Sequence, residues 1–192
     1  LSEEMVAVAR EKARRLGIAN YEAGTADAGA LPFKDGSFDA ALCRMGIMFF
    51  PDPAQAAREF FRVLKPGGRL ALCAWAEPGK NPWATTIADI VNSKLGVPAP
   101  APGSPGLFRQ AKPGTLKTLL ETAGFSQARE IEVSGARDYE NPLQYWRMFT
   151  EVAAPIAGPL AKADEAARMD IQDKVLRAAA AFLKDGRPTF PW

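Results

Sequence analysis

The side chain best placed for binding chemistry is Asp27, which follows a predicted strand in Gly24-Thr25-Ala26-Asp27-Ala28. Ligands of open α/β sheets bind outside the carboxyl ends of the strands. A carboxylate at such an end can accept a hydrogen bond from an exocyclic amine such as adenine N6. The following backbone N–H can donate to the neighbouring ring nitrogen. The competing interpretation is that Asp27 caps a turn, and the residues alone leave both open.

Histidine is absent from the chain. A Ser-His-Asp or Cys-His nucleophile and a histidine-ligated metal are therefore excluded within these residues. The sequence suggests no other metal-ligand cluster, so the prediction is that there is no metal site. A general base, where the chemistry needs one, has to be Asp, Glu, Tyr, Lys or a group on the substrate. No residue stands out for that role.

The composition is that of one globular domain, with 192 residues and 47% hydrophobic side chains. The formal charge of +2 and the lack of a basic block give no reason to expect a nucleic-acid partner. No apolar run approaches the roughly 20 residues of a membrane span, and no signal peptide is visible. Cys43 and Cys73 stand in apolar runs, which predicts two buried, reduced thiols in a cytoplasmic protein.

The elements that position Asp27 can be identified from the stretch Arg62 to Trp75. A helical pattern ends at Leu64, and Lys65-Pro66-Gly67-Gly68 predicts a tight turn with positive-φ freedom at the glycines. The apolar run Leu70–Trp75 then predicts a strand buried on both faces, as in a parallel sheet covered by helices. Helix, turn and strand together form the αβ half of a βαβ unit.

Upstream of this stretch the pattern predicts the order α-β-loop-β-α-β and a parallel sheet with right-handed crossovers. The predicted elements are a helix from Glu3 to Leu16, a short strand at Asn20–Ala23, a strand at Phe38–Cys43, and a helix from Asp52-Pro53 to Leu64. The first helix is predicted to bury a stripe at Met5, Val6, Ala9, Ala13 and Leu16. The second is predicted to bury Ala57, Phe60, Phe61 and Leu64.

Downstream, helices and loops dominate the prediction. Its members are a helix from Asn81-Pro82, a proline-rich loop over 97–106, a helix from Pro113 to Gly124, a strand over Phe125–Val133, an aromatic helix between Asn141-Pro142 and Pro155, a helix opened by Asp164, and a strand that begins near Thr189.

Four segments in order resemble one known family: Leu1–Met5, Asp27–Phe33 with Asp35–Asp39, Leu64–Gly68, and Ala123-Gly124-Phe125. They are similar to the class I S-adenosylmethionine-dependent methyltransferases, in the branch typified by ubiquinone/menaquinone-biosynthesis C-methyltransferases. The resemblance implies an α/β, Rossmann-like, doubly wound, mostly parallel sheet with a helical cap. It also implies one domain over 1–192, with a cofactor-binding half at 1–80, cap segments at 81–112 and 135–186, and a helix plus strand returning to the sheet at 113–134.

The family's cofactor is S-adenosylmethionine, and the resemblance implies which residues would contact it. Asp27 and Ala28 would hold the adenine edge, and Leu1 and Met5 would pack against the adenine and ribose. Arg44 and Met45, at the end of a strand, would line the methionine portion. For Met5 and Arg44 the alternatives are a plain core residue and a surface charge.

One family feature has no counterpart in these residues. The glycine-rich loop after the family's first strand, and the acidic residue that ends its second strand, would precede Leu1. The expectation is therefore a sheet that lacks its first two strands, belonging to a longer enzyme. We also expect that residues 1–192 alone bind the cofactor poorly and are inactive.

The acceptor pocket of this fold is usually roofed by segments that here are rich in aromatic side chains, which suits a small apolar or aromatic acceptor. The candidates are Phe49, Trp75, Trp83, Tyr145, Trp146 and Phe149. The alternative for each is a place in the core of an irregular cap. Two alternatives to a small-molecule methyltransferase stay open: a non-catalytic protein that keeps the fold for an interaction, and a nucleotide-binding oxidoreductase. The latter needs a Gly-x-Gly-x-x-Gly fingerprint that does not occur here.

Overall fold

The computed structural model describes residues 2–192, so Leu1, a predicted cofactor contact, lies outside the described residues. The chain divides into two compact units. Unit 1 comprises the residues up to Cys73 together with Leu116–Arg129, and unit 2 comprises Ala74–Thr115 and Glu130–Trp192.

The helices and strands follow one another in the order α1 (Glu3–Arg15), β1 (Phe38–Arg44), α2 (Pro53–Val63), β2 (Leu64–Cys73), α3 (Pro82–Leu95), α4 (Thr115–Thr122), β3 (Ala136–Asp138), α5 (Pro142–Val152), α6 (Ala154–Lys162), α7 (Glu165–Ala180), β4 (Leu183–Lys184) and β5 (Arg187–Pro191). Single 3₁₀ turns occupy Ile47–Phe49 and Pro78–Lys80. None of the helices over residues 2–192 is long and apolar enough to cross a membrane.

In unit 1, β1 and β2 form a parallel pair joined through α2, which confirms the predicted βαβ connection. The pairing register shifts from Phe38↔Leu64 to Ala40↔Arg69, so the Lys65–Gly68 turn is a bulge within β2. Gly67 lies at a φ of +79°, and a Cβ on Gly68 would come within 2.9 Å of the Lys65 carbonyl oxygen. The predicted need for glycine in this turn is thereby confirmed.

The prediction that β2 is buried on both faces is wrong. Leu42 is 83% exposed, and Ala71 and Cys73, on the neighbouring strand, are exposed as well. Side chains alternate across a strand, and only the face that holds Cys43 and Leu72 is covered. Cys43 is accordingly buried and Cys73 exposed, and both are free thiols. Only one of the two predicted buried thiols is confirmed.

Two predicted strands, Asn20–Ala23 and Phe125–Val133, have no regular structure. The alternation at Ile131 and Val133 buries nothing, since these side chains are 80% and 64% exposed. A strand needs a paired neighbour or a face to bury, and neither segment has one among the described residues. The predicted stripe of α1 is only partly covered: Met5 and Leu16 are 74% and 63% exposed, Val6 and Ala9 are half-buried, and Ala13 is buried.

The burial predicted for α2 is confirmed at Ala57 and Leu64, Phe60 is half-buried, and the prediction is wrong at Phe61. The buried residues of this helix are Ala56, Ala57, Glu59 and Val63, whereas Phe61 is 47% exposed and meets Phe125 edge to face at 5.2 Å. The helix begins as expected, because the Asp52 carboxylate accepts a hydrogen bond from the Gln55 N–H and Pro53 occupies the first turn.

Unit 2 is built around a helical core of α3, α5, α6 and α7, with an antiparallel sheet in the order β3-β5-β4. Helices α3 and α5 begin at Asn81 and Asn141, each followed by proline, and α7 begins at Asp164, as predicted. The aromatic helix α5 ends at Val152, shortly before Pro155 as predicted, and Pro155 lies in the first turn of α6. β5 confirms the expected final strand, and its Phe190 is fully buried in the core.

Candidate functional site

Asp27 lies at the first position of a β-turn in unit 1. The Ala30 N–H donates to the Asp27 carbonyl oxygen at 3.1 Å, and the Gly29 N–H donates to Asp27 Oδ1 at 2.8 Å. The carboxylate is exposed, and the Ala28 N–H makes no hydrogen bond with any described residue. The turn-capping role of Asp27 is therefore real, and it leaves an outward-facing acceptor beside an available donor.

The other predicted cofactor residues of unit 1 lie on α1 and at the end of β1. Met5 is largely exposed on α1. Arg44 is the last residue of β1 and is exposed. Met45 follows at a φ of +56°, a region that non-glycine residues seldom occupy, and its N–H donates to the Cys73 carbonyl oxygen at 3.1 Å. The strand end is thus held in an uncommon backbone conformation, of a kind that clusters at ligand-binding sites.

A row of polar side chains on α2 holds the loop that follows Asp27. Gln55 Nε2 donates to the Gly29 carbonyl oxygen at 3.1 Å, and the Leu31 N–H donates to Glu59 Oε2 at 2.7 Å. Arg62 Nη2 donates to the Leu31 carbonyl oxygen at 3.0 Å, and its Nη1 donates to the Phe33 carbonyl oxygen at 2.7 Å. Alternate carbonyl groups of the loop, those of residues 29, 31 and 33, are therefore bonded to one helix face.

Glu59 and Arg62 also bind each other in a two-point ion pair, with 2.7 Å from Arg62 Nε to Oε1 and 2.7 Å from Nη2 to Oε2. The hydrogen bonds from Arg62 lower the pKa of the Glu59 carboxyl to about 2. Arg62 reaches Asp35 Oδ1 as well, at 2.7 Å. Glu59 is buried. Its charge is tolerated there because both carboxylate oxygens accept hydrogen bonds from Arg62, and Oε2 also accepts one from the Leu31 N–H.

Sequence reasoning missed this row. The available signal was the spacing of Gln55, Glu59 and Arg62, which puts polar side chains on one face of a helix at intervals of four and three residues. Such a pattern is typical of a solvated helix face as well. Only the tertiary structure shows that the loop covers it.

In unit 2 the structure brings four of the predicted acceptor residues into one chain of ring contacts. Trp75 meets Trp83 at a centroid distance of 4.6 Å, Trp83 meets Phe149 at 5.9 Å, and Phe149 meets Tyr145 at 5.1 Å. Tyr145 and Phe149 belong to the buried core, while Trp75 and Trp83 are half-buried. Phe49 is in unit 1, on a 3₁₀ turn, and is 49% exposed.

Tyr145 is poorly suited to act as a base. Its hydroxyl donates to the Trp83 carbonyl oxygen at 2.9 Å, and the side chain is fully buried. Burial raises the pKa of its phenol, and the neighbouring Tyr139 raises it further. The hydroxyl consequently remains protonated and serves to tie α5 to α3.

Trp146 belongs to the same buried core, with 9% of its surface exposed, and it also lines a cavity. The cavity, of about 470 Å³, lies in unit 2 and is lined by Trp146, Ala163, Glu165, Arg168, Met169 and Gln172. Trp146 and Met169 give it an apolar wall, and Arg168 and Glu165 give it a charged rim. A second depression, of about 390 Å³ beside α1, contains none of the predicted site residues.

Across residues 2–192, no three Cys, Asp or Glu side chains come close enough together to hold a metal ion.

Comparison with known proteins gives matches to methyltransferases. Residues 1–72 match the family model described as a methyltransferase domain. A demethylmenaquinone methyltransferase of Thermus thermophilus is 33% identical over 142 residues, which cover 68% of this chain and 63% of the relative. A demethylmenaquinone methyltransferase of Listeria monocytogenes is 32% identical over 153 residues, covering 70% of this chain and 60% of the relative. The chain thus spans less than two thirds of the length of these relatives.

Solved structures show a related fold. The YcgJ protein of Bacillus subtilis aligns with a TM-score of 0.56 at 24% identity, covering 88% of this chain and 68% of that chain. A Bacillus halodurans protein named as a candidate methyltransferase aligns with a TM-score of 0.56 at 23% identity, covering 100% and 76%. At these identities the likeness concerns the fold alone, and it confirms the predicted α/β, Rossmann-like class.

The chain is thus similar to methyltransferases over its first 72 residues and to the methyltransferases of menaquinone and ubiquinone biosynthesis. This confirms the resemblance stated from its motifs.

Proposed function

We propose that this chain transfers a methyl group from S-adenosylmethionine to a small apolar or aromatic acceptor. The observation that supports the proposal most strongly is the Asp27 turn, with its exposed carboxylate beside the unbonded Ala28 N–H. An acceptor and a donor on adjacent groups complement the N6 amine and the N1 atom of adenine. The match of residues 1–72 to a methyltransferase domain supports the same cofactor.

In this proposal each residue of unit 1 has a stated role. The Asp27 carboxylate accepts from the adenine amine and the Ala28 N–H donates to the ring. Met5 supplies an exposed apolar surface for the nucleoside, as Leu1 is proposed to do. Arg44 and Met45 contact the methionine portion. Bound S-adenosylmethionine supplies a methyl group on a sulfonium that is already activated, so the chain contributes orientation and exclusion of water.

The acceptor is proposed to contact aromatic residues, and Trp146 is the best supported because it lines a cavity large enough for a small ring compound. Transfer is proposed to be an in-line displacement, in which the bond from the acceptor atom to the methyl carbon forms as the carbon–sulfur bond breaks. Phe49, Trp75, Trp83, Tyr145 and Phe149 remain predicted acceptor residues, and the buried Tyr145 and Phe149 could contact it only after rearrangement. A cytoplasmic location is part of the proposal, supported by the two free thiols.

The cofactor assignment is tested by titrating the whole polypeptide that the gene encodes with S-adenosylmethionine in a calorimeter. Asp27→Ala removes the carboxylate that accepts the hydrogen bond from adenine. Asp27→Asn keeps an oxygen for the Gly29 N–H but presents an NH₂ group to the adenine amine. We expect either change to weaken binding by about 1–3 kcal/mol, or roughly 5- to 150-fold, because a donor is left unpaired.

Asp39→Asn is the matched control. Asp39 is another exposed aspartate of unit 1 and forms a surface ion pair with Lys65 at 2.8 Å. Such pairs contribute little, so its affinity for S-adenosylmethionine should stay within twofold of the unaltered protein. An unchanged dissociation constant in both Asp27 variants would refute the adenine assignment. Binding without turnover on quinol, phenol and amine acceptors would instead favour the non-catalytic alternative.

A further inference from the structure

The loop from Asp27 to Asp35 has little backbone hydrogen bonding of its own. One turn bond joins Ala30 to Asp27, and the next backbone bond, from the Gly36 N–H, runs to the Arg62 carbonyl oxygen on α2. The loop is instead fastened by the side chains of Gln55, Glu59 and Arg62, which we call the α2 clamp.

Two hydrogen bonds, which meet at Gly29, connect the α2 clamp to Asp27. Asp27 Oδ1 accepts from the Gly29 N–H at 2.8 Å, and the Gly29 carbonyl oxygen accepts from Gln55 Nε2 at 3.1 Å. The orientation of the Gln55 amide is itself determined, because its oxygen accepts from Arg58 Nε at 3.0 Å and from Nη2 at 2.7 Å. A Cβ on Gly29 would lie 3.4 Å from Asp27 Oδ1 and 3.5 Å from Gln55 Cγ, so the three residues are in close contact.

The far end of the loop is fastened by the ion pair. Glu59 accepts from the Leu31 N–H, while Arg62 donates to the Leu31 and Phe33 carbonyl oxygens. Glu59 and Arg62 have side chains that are 11% and 31% exposed. Both charges are thus partly shielded from water. Together the two side chains bond three groups of the loop backbone: the Leu31 N–H and the carbonyl oxygens of Leu31 and Phe33.

We infer that Gln55, Glu59 and Arg62 are positioning residues for adenine recognition, holding the Asp27 carboxylate and the Ala28 N–H in the geometry that selects adenine. This inference rests on the proposed function. None of the three side chains needs to touch the ligand. Loss of a clamp bond costs selectivity, because a carboxylate and an N–H presented by a loose turn no longer form a fixed donor–acceptor pair.

The test compares S-adenosylhomocysteine with S-inosylhomocysteine. Inosine has a carbonyl where adenine has the N6 amine, and an N–H where adenine has the N1 acceptor, so it opposes both groups of the Asp27 turn. We expect the unaltered protein to prefer the adenosyl compound at least tenfold. Gln55→Leu and Glu59→Gln should each weaken adenosyl binding roughly 3- to 10-fold and leave inosyl binding unchanged. A residue with a merely structural role would lower both affinities equally.

Glu11→Gln is a closely matched control. Glu11 forms the same kind of helical two-point pair with Arg14, at 2.8 and 2.9 Å, yet touches no loop. Its adenosyl preference should equal that of the unaltered protein. Hydrogen exchange without ligand gives an independent measurement: the Leu31 amide should exchange faster in Glu59→Gln and at the original rate in Glu11→Gln.

The two possible failures are distinguishable. If the unaltered protein does not discriminate between the compounds, or Asp27→Asn leaves the discrimination intact, the adenine site is wrong and the clamp inference fails with it. If Asp27→Asn abolishes the discrimination while Gln55→Leu and Glu59→Gln retain it, the clamp inference alone is overturned. Unchanged exchange at Leu31 in Glu59→Gln would also overturn it.

Discussion

Replacing Phe190 by alanine should destabilise unit 2 more than any change at its surface. Phe190 is fully buried on β5, and its ring stacks on Tyr145 at 4.5 Å and on Phe182 at 4.3 Å. It also meets Tyr139 edge to face at 5.8 Å. Phe190→Ala removes the member of this group that connects the sheet with α5.

The expected cost follows from the burial. A Phe→Ala change in a core costs about 3–5 kcal/mol, because a cavity is left in addition to the lost transfer free energy. For chains of this size, each kcal/mol shifts the melting temperature by roughly 2–4 °C, so we expect a fall of about 6–20 °C. Phe190→Leu keeps much of the apolar volume and should cost only about 1–2 kcal/mol, mainly lost aromatic contacts.

Tryptophan fluorescence is a suitable assay, because all four tryptophans, at positions 75, 83, 146 and 192, belong to unit 2. Leu183→Ala is the matched control, since Leu183 lies on the adjacent strand β4 and is 50% exposed. Its expected cost is below about 1 kcal/mol. If Phe190→Ala lowered the melting temperature no further than Leu183→Ala, the reasoning that the buried ring organises this core would be refuted.

Two further predictions concern unit 1. The pKa of Glu59 is about 2 in the folded protein, below its ordinary value of 4.5. The ionised Glu59 carboxylate therefore contributes its full stabilisation above pH 4.5, and this stabilisation is lost as the pH falls toward 2. Acid unfolding followed by circular dichroism should show this dependence, and Glu59→Gln should make it shallower; an equally steep profile in the variant would contradict it. Iodoacetamide should alkylate the exposed Cys73 in the native protein but Cys43 only on unfolding, because burial excludes the reagent and raises the pKa of the Cys43 thiol. Rapid native alkylation of Cys43 in a Cys73→Ser variant would be inconsistent with the structure.

Several local features were predictable because they depend on neighbours in sequence. Asn141-Pro142 and Asp52-Pro53 begin helices, since each cap side chain accepts a hydrogen bond from a first-turn N–H and proline lacks one. The Lys65–Gly68 turn was predictable for a similar reason, as Gly67 requires a positive φ. The family resemblance depended on these same short motifs.

Burial was less predictable, because it depends on what packs on each face. The stripe of α1 and the run of β2 are apolar enough to be buried, yet Met5 on α1 and Cys73 on β2 are exposed. Conversely, Glu59 is buried although its type favours solvent. Nothing local to Glu59 indicates that the Leu31 N–H, 28 residues away along the chain, completes its hydrogen bonding.

The sequence by itself determined the family resemblance, the helix starts and the presence of a carboxylate where adenine could bind. Those features rest on residue type and short-range spacing, which do not require the rest of the fold. Only the tertiary structure decided that Asp27 caps its own turn with one oxygen, that α2 fastens the loop behind it, and that Tyr145 is tied within a core while Trp146 lines a cavity. These outcomes depend on contacts between residues far apart in sequence, and no local pattern specifies which distant groups will meet.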